Sequence, residues 1–517
     1  MTSFPRDLTK EEHERSDLEP CLDLTVQILR RLQRNDPGVV HLRIHADDGI
    51  KGIGRALGGS IFLYRLDIVL TPEGKNAMLE ELCRGLARNR CIQWLTVTMN
   101  FSHPAVDVFY ILAPFFEHNH KLGAFEIRKM DANSPHAFFL ASALKKCKNL
   151  QLAKFDLIIG KDDGVSDVAV AAVLDGLNLN NHKLGALYYY NSPMGMRGAA
   201  ALARLVSSTG SNLVVLKLIN NVLDEDCIHV LTAAISNNTS LASFTCSSTA
   251  SRTDKAWRTF SSAVLSHPLC CLRLVRLQDN NIGDEGVSCL GNALTVNKTV
   301  TVFDIGGNPS ITRDGWMAFL KSLKAPHSIL ESLDISYCEI DEESAIAIIL
   351  ALRNNVSLKT IYMMDENDFS DKMRTTLSGV LCDTSSIENT YFSNHSLRML
   401  DVCLLNEEND YDSDSSFVGA VVNRLRQEDI KASLSMNKND DKTQVARQKI
   451  LRHHFSGERR DISLFATMPE TMLPFVTGWI GCDNIGFSLM YAFIRSLPAL
   501  IDAHNWLVVA SAHGLQE

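Results

Sequence analysis

The stretch Leu272–Asn297, LRLVRLQDNNIGDEGVSCLGNALTVN, constrains the fold more than any other, because related copies flank it on both sides. Leu272, Val275, Leu277 and Ile282 are its apolar positions. The segment around Val275 is too short to form a strand pair by itself, so it must pair sideways with copies of itself. Burying one Leu-class side chain contributes about 1.5–3 kcal/mol, too little for a single unit to offset its own ordering entropy. Asn280 sits where the chain leaves the strand, and an amide there can bond backbone groups that a turn strands. Asp284 is placed as an N-cap, after which Val287, Leu290 and Leu294 fall on one helical face. One strand, one turn and one helix make the unit.

Taking the Asn280-equivalent position as a marker, copies fall at Thr71, Asn100, Met130, Gly160, Ser192, Asn221, Thr249, Asn280, Asn308, Cys338, Glu366 and His395. Neighbouring markers are about 28 to 32 residues apart. The later copies are the most regular: LVVLKLINNVL from Leu213, VTVFDIGGNPSI from Val300, LESLDISYCEI from Leu330 and LKTIYMMDENDF from Leu358. Most strands follow an Asn-bearing turn, as at Asn119-His120-Lys121, Asn181-His182-Lys183, Asn237-Asn238-Thr239, Asn297-Lys298-Thr299 and Asn354-Asn355.

From Leu63 to His395 these units resemble the leucine-rich repeat family, in its ribonuclease-inhibitor-like subtype. The resemblance implies an α/β fold: a leucine-rich-repeat solenoid, or horseshoe, with a parallel concave sheet and a helical convex face. A helical C-terminal cap would close it, since terminal repeats otherwise expose core side chains. The expected division is residues 1–60 as N-terminal cap and degenerate first repeat, and 61–400 as repeats. Residues 401–416 form an acidic loop and 417–517 a helical region. Within the first segment Cys21–Leu32 reads as a helix and His41–Ile44 as a degenerate strand. In the last, helices are expected over Phe417–Leu434, Val445–His454, Met468–Ile480 and Phe487–Ala503, with a polar linker at Ser435–Thr443.

The formal net charge of −9 argues against general nucleic-acid binding, which wants a basic footprint. The opening MTSFPRDLTKEEHERSDLEP has no apolar signal-like core, and no run approaches the roughly 18 apolar residues of a membrane span. The 13 cysteines are scattered without a C-x-x-C pair and read as free, mostly buried thiols. A cytoplasmic, or nuclear, protein fits, with no membrane contact.

Four local patterns resemble chemical sites, and each has a plainer reading. Gly52–Gly59 (GIGRALGG) lacks the preceding strand and the later acidic partner of a dinucleotide loop, and reads as a glycine-rich connection. His453-His454 point about 100° apart on a helix, so they cannot share a metal and read as surface or cap-packing groups. Cys270-Cys271 read as core thiols beside the Leu272 strand. Asp410, Asp412 and Asp414 lack the glycine and glutamate of a calcium loop, leaving a solvated acidic loop in which Ser413, Ser415 and Ser416 could accept phosphate. No local grouping suits nucleophilic or acid–base catalysis, so no enzyme, metal or cofactor is expected.

Side chains alternate across a strand, so residues between the apolar positions face the hollow of the horseshoe. In the N-terminal and middle copies these are Arg65, Trp94, Glu126, Arg128, Lys129, Lys154, Tyr188, Tyr190, Lys217 and Arg276. In the C-terminal copies they are Asp279, Asp304, Asp334, Tyr337, Tyr362, Asp365 and Tyr391. Aromatic side chains are common interface anchors and opposed charges orient a partner. The expected function is therefore a non-enzymatic scaffold that binds another protein on the concave face. The alternative, drawn from the family resemblance, is a regulator of small GTPases of the activating type, which would need a positioned loop arginine. Ribonuclease inhibition is disfavoured, since such inhibitors are more regular and richer in cysteine.

Overall fold

A computed structural model describes residues 22–454, apart from 24–25, 46–51, 71–75, 100–107, 132–135, 159–164, 179–182, 192–193, 209, 222, 249–253, 364–369 and 402–416. Strand and helix alternate as the repeat pattern requires. The chain divides into two compact units, Met1–Ala293 and Leu294–Glu517.

The first unit carries ten parallel strands: β1 Leu22–Asp23, β2 His41–His45, β3 Arg65–Leu70, β4 Trp94–Met99, β5 Ala124–Asp131, β6 Leu152–Ile158, β7 Ala186–Tyr190, β8 Val215–Ile219, β9 Ser243–Ser247 and β10 Leu274–Arg276. Each pairs in parallel with the next. One side chain per repeat stays in phase: Leu42, Leu66, Leu95, Phe125, Ala153, Leu187, Leu216, Phe244 and Val275 are cross-strand partners, and all are buried. These residues point to the helices. Phe125 meets Phe116 of the helix Val108–His118 with rings 5.2 Å apart, and Phe244 meets Phe260 at 5.5 Å. The alternate residues therefore face away from the helices.

The second unit has four parallel strands: β11 Val302–Asp304, β12 Ser332–Asp334, β13 Thr360–Tyr362 and β14 Met399–Asp401. Phe303, Leu333, Ile361 and Leu400 form its inward row. The fold is thus a leucine-rich-repeat solenoid, as the repeats imply.

Asparagine side chains brace the repeats at two points. On leaving a strand, Asn221 donates to Tyr189 O at 2.9 Å, and Asn280 to Cys246 O at 2.5 Å. Before a strand, Asn238 donates to Val206 O at 2.6 Å while its Oδ1 accepts from Ser240 N and Leu241 N. Asn89, Asn355 and Asn394 repeat that second pattern. Where the marker is not asparagine a substitute can appear: Cys338 Sγ donates to Ile305 O at 3.3 Å.

Several expectations are corrected. Cys21–Leu32 is not one helix: β1 occupies Leu22–Asp23 and the helix runs Val26–Gln33. The glycine-rich segment is not a connection but the helix Ile53–Gly59, packed on the helix Asn76–Leu86. A Cβ on Gly85 would overlap the Gly54 backbone carbonyl, so only glycine lets the two backbones approach. Cys270 and Cys271 are half-exposed, not core. Register pairs Met130 with Leu157, ahead of the expected marker at Gly160. The last strand lies at Met399–Asp401, so His395 precedes a strand instead of following one. Asp410, Asp412, Asp414, the three serines beside them, and the helices expected beyond His454 lie outside the described residues.

In the second unit the helix Phe417–Met436 packs on the helix Asp371–Leu381, and Lys442–His454 on Ile387–Tyr391. Asn437 donates to Leu397 O at 2.6 Å, and His454 Nε2 lies 2.8 Å from Thr390 Oγ1. Lys449, fully buried, donates to Leu381 O at 2.6 Å and Asn394 O at 2.8 Å. Burial pushes its ammonium down to about 7. Its Nζ also lies 3.2 Å from His395 Nδ1. Burial first, and Lys449 next, push His395 down to about 4, leaving a neutral ring that can accept at Nδ1.

The glycine contact is directly testable. Gly85→Ala is expected to lower the unfolding free energy of the full chain by roughly 1–3 kcal/mol. Gly59→Ala, whose Cβ would meet nothing within 4 Å, is expected to leave it unchanged in the same urea titration.

Candidate binding surface on the helix-free sheet face

The helix-free face of the first unit presents columns of side chains two residues apart along each strand. One column runs through His41, Arg65, Trp94, Ala124, Leu152, Ala186 and Val215. The next runs through Arg43, Asp67, Thr96, Glu126, Lys154, Tyr188, Lys217, Thr245 and Arg276. Arg128 and Tyr190 lie one step further along their strands.

In-register neighbours interact because parallel strands lie about 4.8 Å apart. Lys154 Nζ is 5.1 Å from the centre of the Tyr188 ring, and Lys217 Nζ is 4.4 Å from it. Tyr188 is only 1% exposed, sandwiched between the two cations, with Tyr190 edge-on at 6.3 Å. Arg65 stands 4.5 Å over Trp94, and Lys154 reaches that ring too at 5.5 Å. Each such contact is worth about 0.5–2 kcal/mol according to how dry it is.

Between Trp94 and Tyr188 the first column carries small or slender residues. Ala124 and Leu152 help to line a hollow of about 550 Å³, with the partly exposed Trp94 ring at one end and Lys154, lying over the buried Tyr188, at the other. Lys121, Lys183, Gln93 and Gln151 line its margin on one side, with Glu126, Arg128 and Lys154 on the other. Arg128 Nε donates to Glu126 at 2.6 Å. Asp67, beside the hollow, would be raised by burial alone. Its hydrogen bond to His41 and the charge and hydrogen bond of Arg65 outweigh burial and hold its carboxyl at about 2.

Trp94, Arg128, Tyr188, Tyr190, Lys217 and Arg276 thus share this face, as their alternation implies. Lys129 does not follow the alternation: a register shift between Ile127 and Met130 puts it in a bulge at φ 57°, exposed. Tyr188 is an internal support and not an exposed anchor. Asp67 and Arg43 join the face unforeseen, one strand-step from apolar neighbours that made their copies hard to align.

The second unit has its own helix-free column of Asp304, Asp334, Tyr362 and Asp401. Asp304 is buried and accepts from Gly306 N, while Asp334 accepts from Ser336 N. These carboxylates therefore also hold the turns that follow them. Tyr337 is exposed at φ 57° in such a turn, whereas Tyr391 belongs to the helix Ile387–Tyr391 and not to the sheet. Asp365 lies outside the described residues. Among the described residues no cluster of three metal-ligating side chains occurs, and no helix is long and apolar enough to cross a membrane.

A double-mutant cycle on Tyr188→Leu and Lys217→Met is expected to give a coupling of about 0.5–2 kcal/mol in urea unfolding. Additive losses would mean that the two side chains do not interact.

Comparison with known proteins agrees with the repeats. A family model described as Leucine Rich repeat matches residues 269–291 and 328–348. NACHT, LRR and PYD domains-containing protein 4E of Mus musculus is 29% identical over 141 residues, 27% of this chain and 14% of that protein. Protein 14 of the same name series, also from Mus musculus, is 24% identical over 251 residues, covering 47% and 24%. The chain therefore spans a quarter or less of the length of these relatives. The crystal structure of the Rad7 and Elc1 complex in yeast aligns over 76% of this chain and 81% of that one, at 13% identity and a TM-score of 0.40. The chain carries leucine-rich repeats and is similar to the repeat-bearing NACHT proteins.

Proposed function

We propose that the chain is a non-catalytic scaffold, and that the helix-free sheet face of its first unit docks a partner protein. The observation that carries this reading is the hollow between Trp94 and Lys154, a preformed depression with one rigid aromatic wall, at Trp94, and a polar margin. Interface hot spots favour such fixed aromatic and arginine groups, because little side-chain entropy remains to be lost on binding. The stack of Lys154, Tyr188 and Lys217 holds its side chains before any partner arrives. The one-strand, one-helix repeats, with cross-strand partners such as Leu187 and Leu216 spaced 29 residues apart, favour the ribonuclease-inhibitor-like subtype. A cytoplasmic location suits a chain with free thiols.

A photo-reactive residue placed at Ile219 on the sheet face is expected to cross-link a partner in cells, and one at Ala233 on the helix face is not. Partner recovery from both positions alike, or from Ala233 alone, would remove the sheet face from the account. Added to a GTP-loaded small GTPase, the chain is expected to leave single-turnover hydrolysis unchanged. Stimulation that disappears on mutating one loop arginine would replace the scaffold by the regulator.

A further inference from the structure

The charge of the hollow narrows the partner. Its lining holds five cationic side chains, Arg65, Lys121, Arg128, Lys154 and Lys183, against the single carboxylate of Glu126. This is a local excess on a chain whose net charge is −9, so it does not follow from composition. Arg65 and Arg128 already face acidic neighbours, at Asp67 and Glu126. Lys121 and Lys183 stand exposed on the turns that precede β5 and β7, and among the described residues Lys183 Nζ donates a neutral bond to Asn149 at 2.6 Å.

We infer that the hollow takes an acidic peptide segment of the partner, laid across the strands from Arg65 to Tyr188. This rests on the sheet face being the docking surface. Four inter-strand spacings of about 4.8 Å span roughly 19 Å, the length of about six extended residues. Carboxylates on one side of that segment meet Lys121 and Lys183, and those on the other meet Lys154. An apolar residue between them settles on Ala124 and Leu152 against Trp94. Gln93 and Gln151 offer amides of the kind that pair with a peptide backbone. A nucleic acid would want a longer basic track and exposed stacking faces, whereas Tyr188 is only 1% exposed. A bilayer surface is flat and does not reach a recessed floor.

The test uses the full chain and a fluorescein-labelled octapeptide, Glu-Glu-Leu-Glu-Glu-Leu-Glu-Glu, which presents carboxylates on both sides when extended, beside its Gln/Leu counterpart. The Glu peptide is expected to bind roughly tenfold tighter than the Gln peptide and to weaken as salt is added. Lys121→Glu/Lys183→Glu, two exposed changes, should abolish that preference and transfer binding to a Lys/Leu peptide. Equal affinity for the Glu and Gln peptides would overturn the inference, as would indifference to the double charge reversal. Binding of phosphatidylserine vesicles or of a single-stranded oligonucleotide in place of the peptide would overturn it too. The cross-linking at Ile219 does not depend on partner charge. A partner captured there without an acidic segment would therefore sink this inference and leave the docking surface standing, whereas absence of any cross-link removes the surface itself.

Discussion

Parallel strands of two to eight residues cannot close on themselves, and every turn between strand and helix leaves carbonyls and amides without partners. The asparagine braces answer that constraint. Asn238 reaches back to Val206 O in the preceding repeat while its own carbonyl oxygen holds the turn into β9. One side chain thus satisfies a stranded group in one repeat and sets the geometry of the next. Each unmade bond of this kind would cost roughly 1–3 kcal/mol in the buried turn. The apolar row through Leu187, Leu216 and Phe244 supplies the attraction. The amides supply the phase.

Phase determines the outer face. Because the inward row is in register, so are the side chains one residue further on, and a lysine, a tyrosine and a lysine on three successive strands become a stack. The same logic sets Asp304, Asp334 and Asp401 in one column of the second unit, where two of them also tie down the following backbone. Residues on the helix-free face thus serve stability and display together, so a substitution there has to be judged on both.

The repeats were legible because their apolar positions and asparagines recur at a fixed spacing, and alternation alone placed Trp94, Lys154, Tyr188, Lys217 and Arg276 on one face. Where the physics is local and unrepeated, the sequence was silent or misleading. Lys129 is one residue out of step with Glu126 and Arg128, and only the bulge at β5 decides where it goes, turning it outward at a positive φ. The glycines of the helix Ile53–Gly59 suggest a loop by composition, but serve a helix crossing visible only once Gly85 is brought opposite. Lys449 gives no signal at all, since nothing in a helical pattern marks which lysine will lie under the last repeat bonded to two carbonyls. The hollow depends on Ala124 and Leu152 being small or slender beside Trp94, a matter of relative volume that periodicity does not report.

The dependence of one repeat on the amide of the next can be measured by native-state hydrogen exchange on Asn238→Val. Loss of protection is expected to reach both β8 and β9 together, by roughly 1–3 kcal/mol, since the lost bonds join the two repeats. Deprotection confined to the turn at residues 238–241, with both strands unchanged, would contradict the view that these braces keep the repeats in phase.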